Sequence, residues 1–204
     1  MRMISVITVS LCLVGCTSWG ALTEDDLVPE TTIERVKSAK SQTTATAAQR
    51  EEFGVLADLV GRTFRGEPTD ASAGNIADIQ LWLWSDDGEA LIIKHRLEDG
   101  SYGGDSIVTK NSETGKLSYI YNTNAGFSTQ GDFVLDDKGH WEAVEDVSGQ
   151  SDITKVRSRG YIREDGALIS SSEYLKIGEW VPGNSFVHQE SLQDLTKLKI
   201  PVKP

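Results

Sequence analysis

Eight glycines punctuate the chain at nearly even steps: Gly88, Gly100, Gly115, Gly126, Gly139, Gly149, Gly166 and Gly178. The steps run from 10 to 17 residues, and each matches one strand plus one turn. Asp86-Asp87-Gly88, Asp99-Gly100 and Asp165-Gly166 carry hairpin-turn chemistry. Between the turns lie runs rich in β-branched and aromatic residues, at 76–84, 90–97, 106–110, 117–122, 127–135, 141–147, 153–162, 168–175 and 185–190; residues 63–67 precede them. This pattern predicts an all-β chain, a single antiparallel up-and-down barrel of 8–10 strands, because a continuous meander removes its open edges by closing. A sandwich is the alternative, but it usually needs crossovers that the even spacing does not suggest. Ahead of the strands, Phe53, Leu56, Leu59 and Val60 recur at helical spacing. They predict a short amphipathic helix at the barrel's entry, ended by Gly61.

The N-terminus is of another kind. Arg2 precedes an apolar run at 4–15, which has signal-peptide length and falls short of the roughly 20 apolar residues that span a bilayer. The run ends in Leu13-Val14-Gly15-Cys16, which resembles the lipobox of bacterial lipoproteins. In that family the cysteine takes a diacylglycerol, the chain is cut just before it, and the new amine is acylated. The resemblance implies a cell-envelope lipoprotein held to the membrane through Cys16. Thr17 in place of an aspartate points to the outer membrane, on its periplasmic side. The organisation expected is then a signal peptide at 1–15, a lipidated N-terminus and flexible tether at 16–48, a barrel at 49–190 and a tail at 191–204. Segment 37–48, KSAKSQTTATAA, is polar and of low complexity, as a tether is.

Cysteine and charge narrow the function classes. The chain has only Cys12 and Cys16. Cleavage removes the first and acylation uses the second, leaving no disulfide, thiolate metal site or cysteine nucleophile. Loss of Arg2 leaves 19 Lys and Arg against 31 Asp and Glu. Such a surface repels nucleic acid and anionic headgroups; it reads as solubility and specifies no ligand. A membrane-spanning β-barrel does not fit, because the strands are short and Lys155, Arg157 and Arg159 share one face.

The segment Leu59-Val60-Gly61-Arg62-Thr63-Phe64-Arg65-Gly66-Glu67 resembles the first-strand motif of the calycin barrels. Lipocalins have Gly-x-Trp there, and nitrobindin-type haem barrels have Leu-x-Gly-x-Trp-x-Gly; Phe64 stands in place of the Trp. The resemblance implies a barrel with a ligand-holding interior. Nitrobindin-type barrels also carry their haem-ligating histidine late in the chain, a role that could pass only to His188. No residues around His188 extend the match, and no cofactor is expected.

Strand parity places the candidate chemistry. Leu91, Ile93, His95 and Leu97 share one face, so His95 is either a polar group on a cavity wall or a core histidine satisfied by a neighbour. Val156, Ser158, Gly160 and Ile162 should face inward, with Lys155, Arg157, Arg159 and Tyr161 outward. The small Ser158 and Gly160 leave room in that wall. The expected ligand-binding residues are therefore Ile93, His95, Leu97, Ser158 and Gly160. Glu145 alternates with Trp141, Ala143 and Val147; it is either inward and paired, since an unpaired inward carboxylate is costly, or on an outward face. Both faces of 79–84 are apolar, and which one is inward stays open. No histidines stand close in sequence and no calcium-loop pattern occurs, so no metal is expected. Gly126-Phe127-Ser128-Thr129-Gln130-Gly131 misses the Gly-x-Ser-x-Gly nucleophile turn by one residue and has no helix after it. No catalytic residue is assigned. Two functions remain: a tethered barrel binding a small, largely apolar ligand, or a side-chain-filled barrel docking on another envelope protein.

Overall fold

The computed structural model describes residues 44–69 and 76–192. The expected signal peptide, Cys16, and most of the expected tether and tail lie outside the described residues.

Ten strands form one closed antiparallel barrel, an architecture compatible with the calycin fold. They are β1 Thr63–Pro68, β2 Asp78–Trp84, β3 Ala90–Leu97, β4 Gly103–Lys110, β5 Leu117–Thr123, β6 Ser128–Leu135, β7 Trp141–Ser148, β8 Lys155–Ile162, β9 Leu168–Lys176 and β10 Glu179–Ser191. Each strand pairs with its sequence neighbours, and β1 closes on β10 with Thr63 opposite Ser191. The eight turn glycines all have φ between 69° and 89°, a region that favours glycine. This is why they mark the hairpins so regularly. Strand β10 begins six residues earlier than the 185–190 run suggests. The earlier part holds Pro182 and Gly183, and the register shifts between Pro182 and Ser185, an irregularity that accommodates residues a regular ladder rejects.

The entry helix starts earlier and changes type. Helix α1, Ala47–Phe53, is opened by a capping box in which Thr46 and Gln49 satisfy each other's backbone N–H. Gly54, at φ 57°, breaks it, and Gly54–Leu59 continues as a 3-10 helix. The apolar spacing survives the change: Phe53, Leu56, Leu59 and Val60 are all buried. They join Trp84, Leu91, Leu117, Trp141 and Leu168 in one core cluster, with Phe53 edge-on to Trp84 at 5.3 Å between ring centres. Burying each such side chain gains about 1.5–3 kcal/mol, enough to hold this segment as a floor across one end of the barrel. Phe64, the residue at the calycin Trp position, is fully buried and carries the Arg62 guanidinium over its ring at 4.7 Å.

Parity holds around the wall. On β2 the inward face is Asp78, Gln80, Trp82 and Trp84, fixed by cross-strand pairing of Gln80 with His95 and Trp82 with Ile93. Lys94 and Arg96 face outward onto Asp105. Arg159 faces outward onto Glu142 and Glu173, and Arg157 lies over Trp180 at 4.1 Å.

Candidate functional site

Above the apolar floor the barrel encloses a cavity of about 260 Å³. Its inner end is walled by Trp82, Ile93, Phe133, Trp141 and Leu168, and its outer part by polar and phenolic side chains. Three inward glycines shape it. Gly66, Gly104 and Gly160 are each overlain by a ring from a nearby strand: His188, Tyr121 and Trp141 respectively. A Cβ at these positions would lie 2.3–2.5 Å from the ring, so each glycine gives a ring a lane across the sheet.

The first lane builds a buried charge cluster. Gly66 stands opposite His188 on one side and Asp78 on the other. With no side chain between them, His188 reaches across β1, and its Nε2 donates to Asp78 Oδ2 at 2.8 Å. Gln80 Nε2 donates to the same oxygen at 3.0 Å. His188 Nδ1 lies 3.3 Å from the Leu168 carbonyl oxygen, so both ring nitrogens face groups of the wall. His95 Nε2 forms an ion-pair contact with Asp78 Oδ1. That contact lies outside hydrogen-bond geometry, and Oδ1 has no hydrogen-bond donor. Asp78 is 2% exposed. Burial alone would raise its carboxyl pKa, but the charge of His95 and the hydrogen bond from His188 together hold it well below the usual carboxylate range.

The second lane extends this cluster to the mouth. Tyr121 leans over Gly104 so that its hydroxyl lies 2.7 Å from His95 Nδ1. It donates to the Tyr102 hydroxyl at 3.1 Å. Tyr102 stacks on Phe127 across the outer turns at 6.3 Å. Burial pushes the Tyr102 phenol up to about 12 and raises Tyr119 and Tyr121 as well. At neutral pH these groups are hydrogen-bonding hydroxyls, not phenolate nucleophiles.

Glu145 stands apart from that cluster. It is 2% exposed and points inward. Thr129 Oγ1 donates to Oε2, and Ser158 Oγ donates to Oε1 at 2.8 Å. Burial outweighs these two hydroxyls and raises its pKa.

Of the residues singled out in the sequence, Ile93, His95 and Ser158 line the cavity. Leu97 is half-buried beside Asp78, its cross-strand partner, and is not among the lining residues. Gly160 faces inward, but Trp141 fills the space its missing side chain leaves; the open volume lies instead beside Ser158, Ser170 and Ser172. His140 sits exposed at the β6–β7 turn on Asp136. Asp78, Tyr102, Tyr119 and Tyr121 were not singled out from the sequence. Asp78 had a signal, since it shares the Trp82 and Trp84 face, but only the closed register identifies that face as inward. No known protein-family model matches the chain, and no curated protein matches it either.

Proposed function

We propose that this chain is an envelope lipoprotein, anchored through Cys16, whose barrel holds one small amphipathic molecule. The apolar body of the ligand lies against Trp82, Phe133 and Trp141, and its polar end lies among the hydroxyls above. The observation that carries this reading is the unfilled interior of about 260 Å³. The volume lies just below the range typical of drug-sized ligands, which suits a single-ring molecule.

Ser170 lines the open part of the cavity, so Ser170→Phe should fill it. A small-molecule extract of the host envelope is expected to raise the melting temperature of the wild-type barrel and leave Ser170→Phe unmoved. A ligand at 100 times its Kd adds about 2.7 kcal/mol, or roughly 5–10 °C for a domain of this size. Equal shifts in both proteins, or none in either, would sink the interior-binding reading.

A second reading, docking on another envelope protein, is favoured by the outer wall. Ile107, Ile120, Val134 and Val144 are 39–62% exposed on the outward faces of β4 to β7, and Ile107 is directly opposite Ile120.

A further inference from the structure

The charges inside the barrel are unevenly matched. The histidines near the cavity are His95 and His188, and both are spent on Asp78. Arg159 borders the cavity, but its guanidinium is paired with Glu142 and Glu173. Glu145 is the exception. It is a buried carboxylate whose partners are two neutral hydroxyls, and among the described residues no cation pairs with it. A carboxylate offers about four lone-pair sites, so two hydroxyls leave acceptor capacity facing the cavity. An anionic ligand would meet this acid and no free cation, and a neutral ligand leaves in place the burial that raises its pKa. A cation would supply the missing charge in a low-dielectric site, where pairing is strongest. The walls suit a cation too: Tyr119, Phe133 and Trp141 line the same cavity, and aromatic rings attract cations.

We propose that the occupant is an aryl-alkyl ammonium ion, with its amine on Glu145 and its ring against the inner aromatic wall. This rests on the interior-binding reading and names its ligand class.

Three molecules of similar shape separate the alternatives by calorimetric titration: tyramine as the cation, tyrosol as its neutral alcohol, and 3-(4-hydroxyphenyl)propanoate as the anion. The wild-type barrel is expected to bind tyramine one to one, at least tenfold tighter than tyrosol, with the propanoate weakest. Glu145→Gln keeps the shape of the site while removing the charge: one hydroxyl still donates to the amide oxygen, and the other turns to accept from the amide N–H. It is expected to bind tyramine and tyrosol equally. Because it removes a buried acid that lacks a cation, its urea midpoint at pH 7 should equal or exceed the wild type's, so a loss of preference cannot be misread as unfolding. Tyrosol or the propanoate binding as tightly as tyramine, or a preference that survives Glu145→Gln, overturns the assignment while leaving the barrel a binding module. Absence of tyramine binding overturns it as well, and the Ser170→Phe comparison then decides whether the interior binds anything.

Discussion

Asp78→Ala is expected to lower the stability of the barrel by about 3–5 kcal/mol. The carboxylate is 2% exposed and receives His188, Gln80 and the ion-pair contact of His95. Removing it strands two imidazoles in a wall built around it, and leaving one partner of a buried pair alone costs far more than the pair contributes. Against a total of about 5–15 kcal/mol for a domain, that is about a fifth or more. Urea denaturation should show the midpoint falling with an unchanged slope; a loss under about 1 kcal/mol would mean that the cluster is not structural. The pH dependence has a definite sign. The Asp78 pKa is depressed in the folded state. Its contribution is therefore complete above the ordinary aspartate value of about 3.9 and is lost as pH falls through the folded pKa. Glu145 runs the other way. Its folded pKa is raised, so its contribution is complete below the ordinary glutamate value of about 4.3 and is lost as pH rises through the folded pKa.

Cys16→Ala is expected to abolish the acylated, membrane-pelleting form of the protein. Acyl chains gain about 0.8 kcal/mol per buried CH₂, and two or more make attachment stable. Among the described residues no helix is long and apolar enough to cross a membrane, and the chain's net charge of −11 repels anionic headgroups. Fractionation and intact mass read the result: wild type pellets and carries the added lipid mass, and the variant has neither property. A variant still cleaved ahead of residue 16 and still pelleting with membranes would contradict the anchor.

The fold was legible because its signals are local. A hairpin glycine at positive φ is demanded by its own turn, and strand alternation is visible within eight residues; together these yield the strand count, the closure and the inward parity of β3 and β8. Strand β10 was legible only in part, since its first half contains Pro182 and Gly183, which enter a strand only at an irregularity. The site was less legible because its residues meet through the register. Asp78, Gly66 and His188 fall side by side only once β1 lies between β2 and β10, across a separation of 110 residues between acid and imidazole. Gly160 shows the limit of reading volume from one strand. Its missing side chain implied a void, but the neighbouring strand supplied Trp141 to fill it. Glu145 could be placed on a face but not on the inner one, because an alternating strand has two faces and only its neighbours decide between them.

Native mass spectrometry of the barrel purified from its own host tests the central claim most directly. The prediction is a non-covalent one-to-one adduct of single-ring size, present in the wild type, released on unfolding and absent from Ser170→Phe. A wild-type spectrum carrying only the mass of the polypeptide, or an adduct retained in full by Ser170→Phe, would contradict a ligand held inside the barrel.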